Sequence, residues 1–379
     1  MKYIHISDLH LGKRVNEYPM LEDQEYILKK IIHIIDEEKP DGVFIAGDIY
    51  DKSVPPAEAV QLFDDFLVRL AGRGLQVFVI SGNHDSPERI AFGSRLMDRS
   101  GIHLSPVYDG NIRPVVMEDA YGEINVYMLP FVKPAHVRRF FEEEEINTYT
   151  DAMRVAVAQM NIDRSTRNIL VTHQFVTGAQ RADSEEISVG GTDNVDVTAF
   201  EAFDYVALGH IHRPQSCGRE TVRYCGTPLK YSFSEAGDCK SVTIVELLEK
   251  GNVLVRTAQL IPRRDMREIR GSYEEITRKS FYENTTYQED YIHITLTDEE
   301  DIPHALGKLR AVYPNLMKLD YDNRRTRESR EISGAEDVEN KSPLRLFADF
   351  YELQNNQPMS DAQKTYVEEL IEKIWEVEQ

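Results

Sequence analysis

Aspartate, asparagine and histidine recur at five places in this sequence, each time after a short run rich in Val, Ile and Phe. The segments are YIHISDLH (3–10), GVFIAGDIYD (42–51), QVFVISGNHD (76–85), NILVTHQ (168–174) and YVALGHIH (205–212). Their tips supply Asp8, His10, Asp48, Asn83, His173, His210 and His212. These are carboxylate, amide and imidazole donors without a thiolate, a set suited to Mn²⁺, Fe²⁺ or Zn²⁺ rather than copper or an iron–sulfur cluster. Seven donors exceed what one ion takes but suit two ions that share a bridging carboxylate. Two cations roughly 3.5–4 Å apart are the usual arrangement for attack at phosphorus, where they activate water and neutralise phosphoryl charge. Asp-x-His alone, or Gly-Asp alone, means nothing; the ordered set behind five apolar runs does. His5, His33, His103, His136, His293 and His304 fall outside the pattern and are expected to be structural or surface residues.

The apolar runs are short and rich in β-branched residues, so they read as buried strands. Between the first tips lie helical patterns. Residues 24–37 put Ile27, Leu28, Ile31, Ile34 and Ile35 on one face, and 56–70 do so with Val60, Phe63, Phe66, Leu67 and Leu70 after Pro55-Pro56. Strand, helix, strand at this spacing is a βαβ unit, which places the polar tips at the carboxyl ends of the strands, where open α/β sheets gather ligands. Residues 220–260 read as strands with tight turns, expected to form a mainly antiparallel sheet or edge strands. Arg263, Arg264, Arg267 and Arg270 mark a basic connector, and 291–323 read as strand, helix, strand with Pro303 near the helix start. The polar, acidic stretch 331–342 reads as a linker. Two helical stripes close the chain: Leu344, Phe347, Phe350 and Tyr351, then Val367, Leu370, Ile371 and Ile374 with Ser360 as N-cap. The expected division is 1–265, 266–330, a linker at 331–342, and a helical segment at 343–379.

A length of 379 residues suits two or three units. The net charge of −21, from 44 basic and 65 acidic residues, speaks against a general binder of nucleic acid or anionic membrane, although bound cations or a basic partner invert the local field. Three cysteines, Cys217, Cys225 and Cys239, make no CxxC pair, so neither a disulfide framework nor a thiolate zinc site is expected. No apolar run approaches the ~18 residues of a membrane helix, and the first residues lack a signal-peptide stretch, so a cytoplasmic location is expected.

The order of the motifs resembles the calcineurin-like metallophosphoesterases, and within them the SbcD branch of bacterial DNA-repair nuclease subunits. DLHLG (8–12), GNHDSPERI (82–90), VGGTDNVD (189–196), FDYVALGHIHRPQ (203–215) and PLKYSFSEA (228–236) carry the likeness, which spans essentially the full length. The resemblance implies an α/β fold with a β-sandwich flanked by helices, a small α/β capping domain and a C-terminal helical pair. It implies Asp8, His10 and His212 on one metal, Asn83, His173 and His210 on the other, Asp48 bridging, and Mn²⁺ as the metal. It also implies that His84 faces the scissile phosphate, donating to a phosphoryl oxygen or protonating the leaving 3′ oxygen, with Asp51 orienting it. Asp85 caps the helix near Ser86-Pro87 or serves a related role.

By the same resemblance the chain is a 3′→5′ exonuclease on duplex DNA and an endonuclease on single strands and hairpins. The C-terminal helices are expected to dock on an SbcC-type ATPase, and helices 56–72 and 86–99 to form a homodimer within a heterotetramer. The cytoplasmic protein would act at the nucleoid. Lys13, Arg14, Arg89, the arginines at 263–270, and Arg324, Arg325, Arg327 and Arg330 are candidates for phosphate contact. Two rivals stand beside this: another calcineurin-like phosphodiesterase or phosphatase with a non-DNA substrate, and a metal-free scaffold. The small domain and helical tail disfavour the first, and the full donor set with His84 disfavours the second.

Overall fold

The computed structural model describes residues 1–185, 193–324, 326, 344, 347–348, 351 and 359–376. They form two compact units, Met1–Asp265 and Met266–Gln379. The first unit holds two six-stranded sheets. In one, β1 (Lys2–Ile6), β2 (Gly42–Ala46), β3 (Gln76–Ile80) and β4 (Ile102–Leu104) run parallel. Helices α1 (Leu21–Glu38) and α2 (Ala57–Ala71) are its crossovers. The other contains β5 (Val115–Asp119), β6 (Gly122–Leu129), β7 (Arg167–His173), β8 (Tyr205–Gly209), β9 (Gln215–Cys217) and β10 (Arg219–Tyr224), in the order β9-β10-β8-β7-β6-β5. Helix α3 (Tyr149–Ala158) lies between β6 and β7. The chain then returns to the first sheet, where the hairpin β11 (Ser241–Leu247) and β12 (Val253–Gln259) adds antiparallel to β1.

The central strands of both sheets are buried on both faces, which is why they read as continuous apolar runs. Tyr3, Phe44 and Phe78 of the first sheet share one core with Val126, Ile169 and Tyr205 of the second. Tyr3 stacks on Phe44 with ring centroids 4.6 Å apart. On its outer face the second sheet packs Tyr127, Leu170, Val206 and Leu208 against Ala152, Met153 and Ala156 of α3.

The helices differ from expectation in detail. Ile32 rather than Ile34 is buried on α1, and Ala59 replaces Val60 on the buried face of α2, where Val60 is 44% exposed. Pro56 is the N-cap of α2 rather than its first residue. Residues 219–260 pair mainly antiparallel, as expected: β10 with β9, β11 with β1 and β12 with β11, while the β10–β8 pairing is parallel.

In the second unit β13 (Met266–Gly271), β14 (Tyr291–Leu296) and β15 (Leu316–Tyr321) form a parallel three-stranded sheet, with α4 (Ala305–Arg310) between the last two. The expected basic connector is therefore partly a strand. Met266, Ile269 and Gly271 are buried in it, while Arg267, Glu268 and Arg270 are exposed. Helix α5 (Asp361–Glu376) begins after Ser360. The Ser360 hydroxyl accepts from the Gln363 N–H at 3.4 Å while the Ser360 N–H donates to Gln363 Oε1 at 2.9 Å, a reciprocal cap. Phe347, Tyr351, Met359, Tyr366 and Val367 line an apolar groove of about 340 Å³. The linker 331–342, Phe350 and the Ile374 side chain lie outside the described residues.

An ion pair ties β5 to β7. Arg167, whose side chain is 3% exposed, donates to both Asp119 oxygens at 3.1 and 2.5 Å. These bonds hold the Asp119 carboxyl well below the usual carboxylate range. A depressed folded-state pKa stabilises above the unfolded carboxyl value of about 3.9 and loses that contribution as pH falls toward the folded value. Asp119→Ala should lower unfolding free energy by about 3 kcal/mol at pH 7, since it strands a buried guanidinium. Urea unfolding across pH should show the gap to wild type narrowing below pH of about 4.

Candidate metal centre

The five polar tips follow the carboxyl ends of β1, β2, β3, β7 and β8. Both sheets present these ends to the same place, and the tips pack with no room for side chains at two glycines. A Cβ on Gly82 would lie 2.1 Å from Asp48 Oδ1, and one on Gly209 would lie 1.9 Å from the Ala46 carbonyl. The chain also turns sharply: Asp8, His10, Asp48 and His210 all have positive φ, at 52°, 44°, 48° and 103°. For non-glycine residues this is strained backbone, held by the surrounding hydrogen bonds.

The seven predicted donors come together. Asp8, His10 and His212 form one group, with His10 Nε2 and His212 Nε2 3.1 Å apart. Asn83 Oδ1 lies 3.0 Å from His173 Nε2 and 2.9 Å from His210 Nδ1, a second group. Asp48 Oδ2 reaches both, at 3.3 Å from His173 Nε2 and 3.7 Å from His10 Nε2. The His84 N–H donates to Asp48 Oδ1 at 2.9 Å, and its ring Nε2 lies 4.0 Å from Oδ2.

This arrangement fits two divalent cations. Asp8 and Asp48 are buried, and without a cation burial pushes the Asp8 carboxyl up to about 8, with the Asp48 charge adding to the effect. Burial would also raise Asp48, but the charge and hydrogen bond of His173 override it and hold Asp48 well below the ordinary value. Burial similarly drives the His10 and His212 rings far down and takes His210 to about 3, so these imidazoles are neutral donors. His10 Nδ1 is buried with no hydrogen-bond partner. His173 Nδ1 donates to the Ala46 carbonyl at 2.8 Å, which turns its Nε2 toward Asp48 and Asn83. Burial would lower this ring, but the Asp48 charge and hydrogen bond raise it to about 9.

Several supporting residues are not singled out by the sequence pattern, although Glu235 lies within the motif PLKYSFSEA. Ser184 Oγ lies 2.6 Å from His212 Nδ1 and 2.6 Å from Glu235 Oε1, and Lys240 Nζ lies 2.5 Å from Glu235 Oε2. Glu185 Oε1 accepts the His212 N–H at 2.7 Å. The contacts from Glu185 and Ser184 span 27 to 51 residues, so no local spacing announces them.

Two sequence-based roles need correction. Asp51 does not orient His84 through its carboxylate: His84 Nδ1 meets the Asp51 main-chain oxygen at 3.0 Å, while the carboxylate is 2.7 Å from Lys13 Nζ. The ammonium is the stronger partner for the charge, and the carbonyl is left for the ring. Asp85 is not a helix cap. Its buried carboxylate accepts the N–H groups of Ile49, Tyr50 and Gly82 at 3.1, 3.0 and 2.9 Å, clasping the second and third tips together. Burial and the Asp48 charge push Asp85 up to about 6.

Among the described residues, most basic candidates for phosphate contact are paired with acids. Arg263 and Arg264 bind Glu22, Arg264 also reaches Asp23 at 3.1 Å, Arg267 lies 3.3 Å from Asp290, and Arg270 binds Asp322. Arg14 bonds the Glu17 carbonyl, and Arg89 is exposed on the turn Pro87–Ile90. Arg324 donates its N–H to Glu299, and Arg325, Arg327 and Arg330 lie outside the described residues. Of the histidines outside the pattern, His5 is buried against the Tyr205 hydroxyl at 2.9 Å, His103 joins Asp98 at 2.6 Å, and His293 joins Glu268 and Asp320 at 3.1 and 2.8 Å.

The calcineurin-like phosphoesterase pattern matches residues 1–214, and that of the type 5 capsule protein repressor C-terminal domain matches 262–355. A protein of Staphylococcus epidermidis, named as the SbcD component of the nuclease SbcCD, is 31% identical over 379 residues, 99% of each chain. One of the same name from Staphylococcus saprophyticus is 34% identical over 323 residues, 84% of each chain. A solved dimetal phosphatase from Danio rerio aligns over 69% of this chain and 96% of that chain, at 10% identity and a TM-score of 0.40, too low to carry weight. Five strand-end tips in family order, with a likeness that runs from end to end, place this chain in the calcineurin-like phosphoesterases as a dimetal hydrolase of the SbcD nuclease family.

Proposed function

We propose that this chain hydrolyses DNA phosphodiesters as the nuclease component of an SbcC–SbcD-type complex, with Mn²⁺ as its cation. One observation carries this: the buried convergence of Asp8, His10, Asp48, Asn83, His173, His210 and His212 in a chain similar over 99% of its length to a protein named as a nuclease component. Asp8, His10 and His212 would hold one cation and Asn83, His173 and His210 the other, with Asp48 placed to serve both. When bound, the two cations would supply Lewis acidity toward the phosphoryl oxygens and would lower the pKa of water.

His84 supplies the proton. Its Nδ1 meets a carbonyl oxygen, which only accepts, so Nδ1 keeps its hydrogen and Nε2 is the nitrogen that gives and takes one. Nε2 protonates the leaving 3′ oxygen. Asp51 is a positioning residue: its carbonyl orients His84, and its carboxylate anchors Lys13 beside the centre.

The substrate is DNA, cut 3′→5′ from duplex ends and internally in single strands and hairpins. The paired arginines and the charge of −21 leave the isolated chain a modest, salt-sensitive grip on DNA, so an SbcC-type ATPase supplies much of the binding surface. Its coiled-coil base occupies the apolar groove of the C-terminal helices, an ordinary helix-in-groove mode. Residues 266–330 serve as the capping domain, which selects DNA shape. Phe92, Leu96 and Val68, 82%, 80% and 63% exposed, support a homodimer through 56–72 and 86–99, as part of a heterotetramer. The site of action is the cytoplasm, at the nucleoid, where chromosomal DNA is the substrate; among the described residues no helix is long and apolar enough to cross a membrane.

End-labelled duplex and hairpin DNA with Mn²⁺, Mg²⁺ or EDTA tests this reading. Wild type should cut with Mn²⁺ and not with EDTA. His84→Ala should lose roughly 10²–10⁴-fold in rate while retaining both metals by elemental analysis. A wild type loaded with two metals that cuts no DNA, alone or with SbcC and ATP, would end the nuclease assignment. Light scattering on Phe92→Ser/Leu96→Ser should give a monomer where wild type gives a dimer; a monomeric wild type rejects the homodimer.

A further inference from the structure

We propose that Ser184, Glu235 and Lys240 are positioning residues that fix His212 in its Nδ1–H tautomer and so set the cation affinity of the Asp8–His10–His212 site. The proposal rests on the reading of those three residues as ligands of one metal.

The argument follows a single proton. Lys240 Nζ can only donate, and it sits 2.5 Å from Glu235 Oε2. Glu235 is fully buried, and its carboxylate accepts at both oxygens. Ser184 has one hydroxyl hydrogen, and Glu235 Oε1 at 2.6 Å takes it. The Ser184 oxygen therefore has only lone pairs left for His212 Nδ1, 2.6 Å away. Nδ1 must carry the hydrogen. In the neutral ring Nε2 is then bare, and it is Nε2 that lies 3.1 Å from His10 Nε2 in the metal cluster.

The backbone of the same residue is clamped as well. Lys240 Nζ donates to the His212 carbonyl at 2.8 Å and to Thr227 Oγ1 at 2.8 Å, and Glu185 accepts the His212 N–H. A buried Lys–Glu pair adds little net stability over apolar packing, so stability alone does not account for it. Direction does: an apolar pair could not orient the serine hydrogen. The contrast with His173 sharpens the point. That ring receives the same orientation from the Ala46 carbonyl, which no substitution removes. His212 depends on side chains, so its tautomer can be changed by mutation.

The test uses the full chain, titrated with Mn²⁺ by calorimetry, and with ¹⁵N-histidine spectra of the metal-free protein to read the tautomer. Ser184→Ala should weaken one of the two Mn²⁺ sites by roughly 10–100-fold and leave the other unchanged, and Ser184→Thr should restore it. Glu235→Gln carries the test if the alanine variant fails to fold. Its amide oxygen must face Lys240, so its NH₂ faces Ser184, the hydroxyl hydrogen turns toward His212, and the spectrum should change to Nε2–H. His212→Ala is the control and should lose one Mn²⁺. Wild-type affinity at both sites in Ser184→Ala, or an unchanged Nδ1–H signal in Glu235→Gln, overturns the proposal while His212→Ala still loses its ion. Retention of both ions by His212→Ala overturns the ligand reading itself.

Discussion

Asp48 is the constraint around which the first unit is built. Its side chain is nearly inaccessible, and a buried carboxylate persists as a charge only among positive partners and hydrogen-bond donors. One oxygen takes the His84 N–H, and the other faces His173 and His10 across the gap between the two donor groups. Other choices follow from that position. Residue 82 must be glycine because a Cβ would collide with Asp48 Oδ1. Asp85 must hold the tips that carry Asp48 and Asn83 at fixed separation. The strain of positive φ at Asp48 is tolerated because the His10 N–H bonds its carbonyl at 3.0 Å, and the Asp8 N–H bonds Gly47 at 3.0 Å.

Rigid donors matter because a flexible site would have to be organised by each cation on arrival. Here main-chain and side-chain bonds do that work beforehand. The Asp8 carboxylate accepts the His210 N–H at 3.0 Å, linking the first strand end to the last. His173 is fixed by Ala46, and His84 by the Asp51 carbonyl. The site therefore has little freedom to relax, and ligand orientation is set by neighbours one bond further out.

Much of this is readable in the sequence. Continuous Val/Ile/Phe runs before Asp, Asn and His locate the five strand ends, because burial on both faces removes polar alternation and leaves chemistry only at the tips. The periodicity of 24–37 and 56–70 locates α1 and α2. What escapes is set by distance along the chain. Ser184, Glu235 and Lys240 meet His212 only after the second sheet has formed, and each alone resembles a surface residue. The arginines at 263–270 read as a basic patch because their acidic partners, Glu22 and Asp23 for two of them, are about 240 residues away. The place of Asp51 in a motif points to a role beside His84, and a motif cannot distinguish a carboxylate contact from a carbonyl one.

The order in which the chain emerges gives the donor arrangement a consequence in time. Synthesis proceeds from the N-terminus at about 5–20 residues per second. The donors run from Asp8 to His212, and β1 gains its outer partner only with β11 at Ser241–Leu247. Half-made chains thus carry the first three tips with no fourth or fifth to close them. The donor set is complete only once His212 has emerged, and a chain that ends before it lacks the full hydrolytic centre.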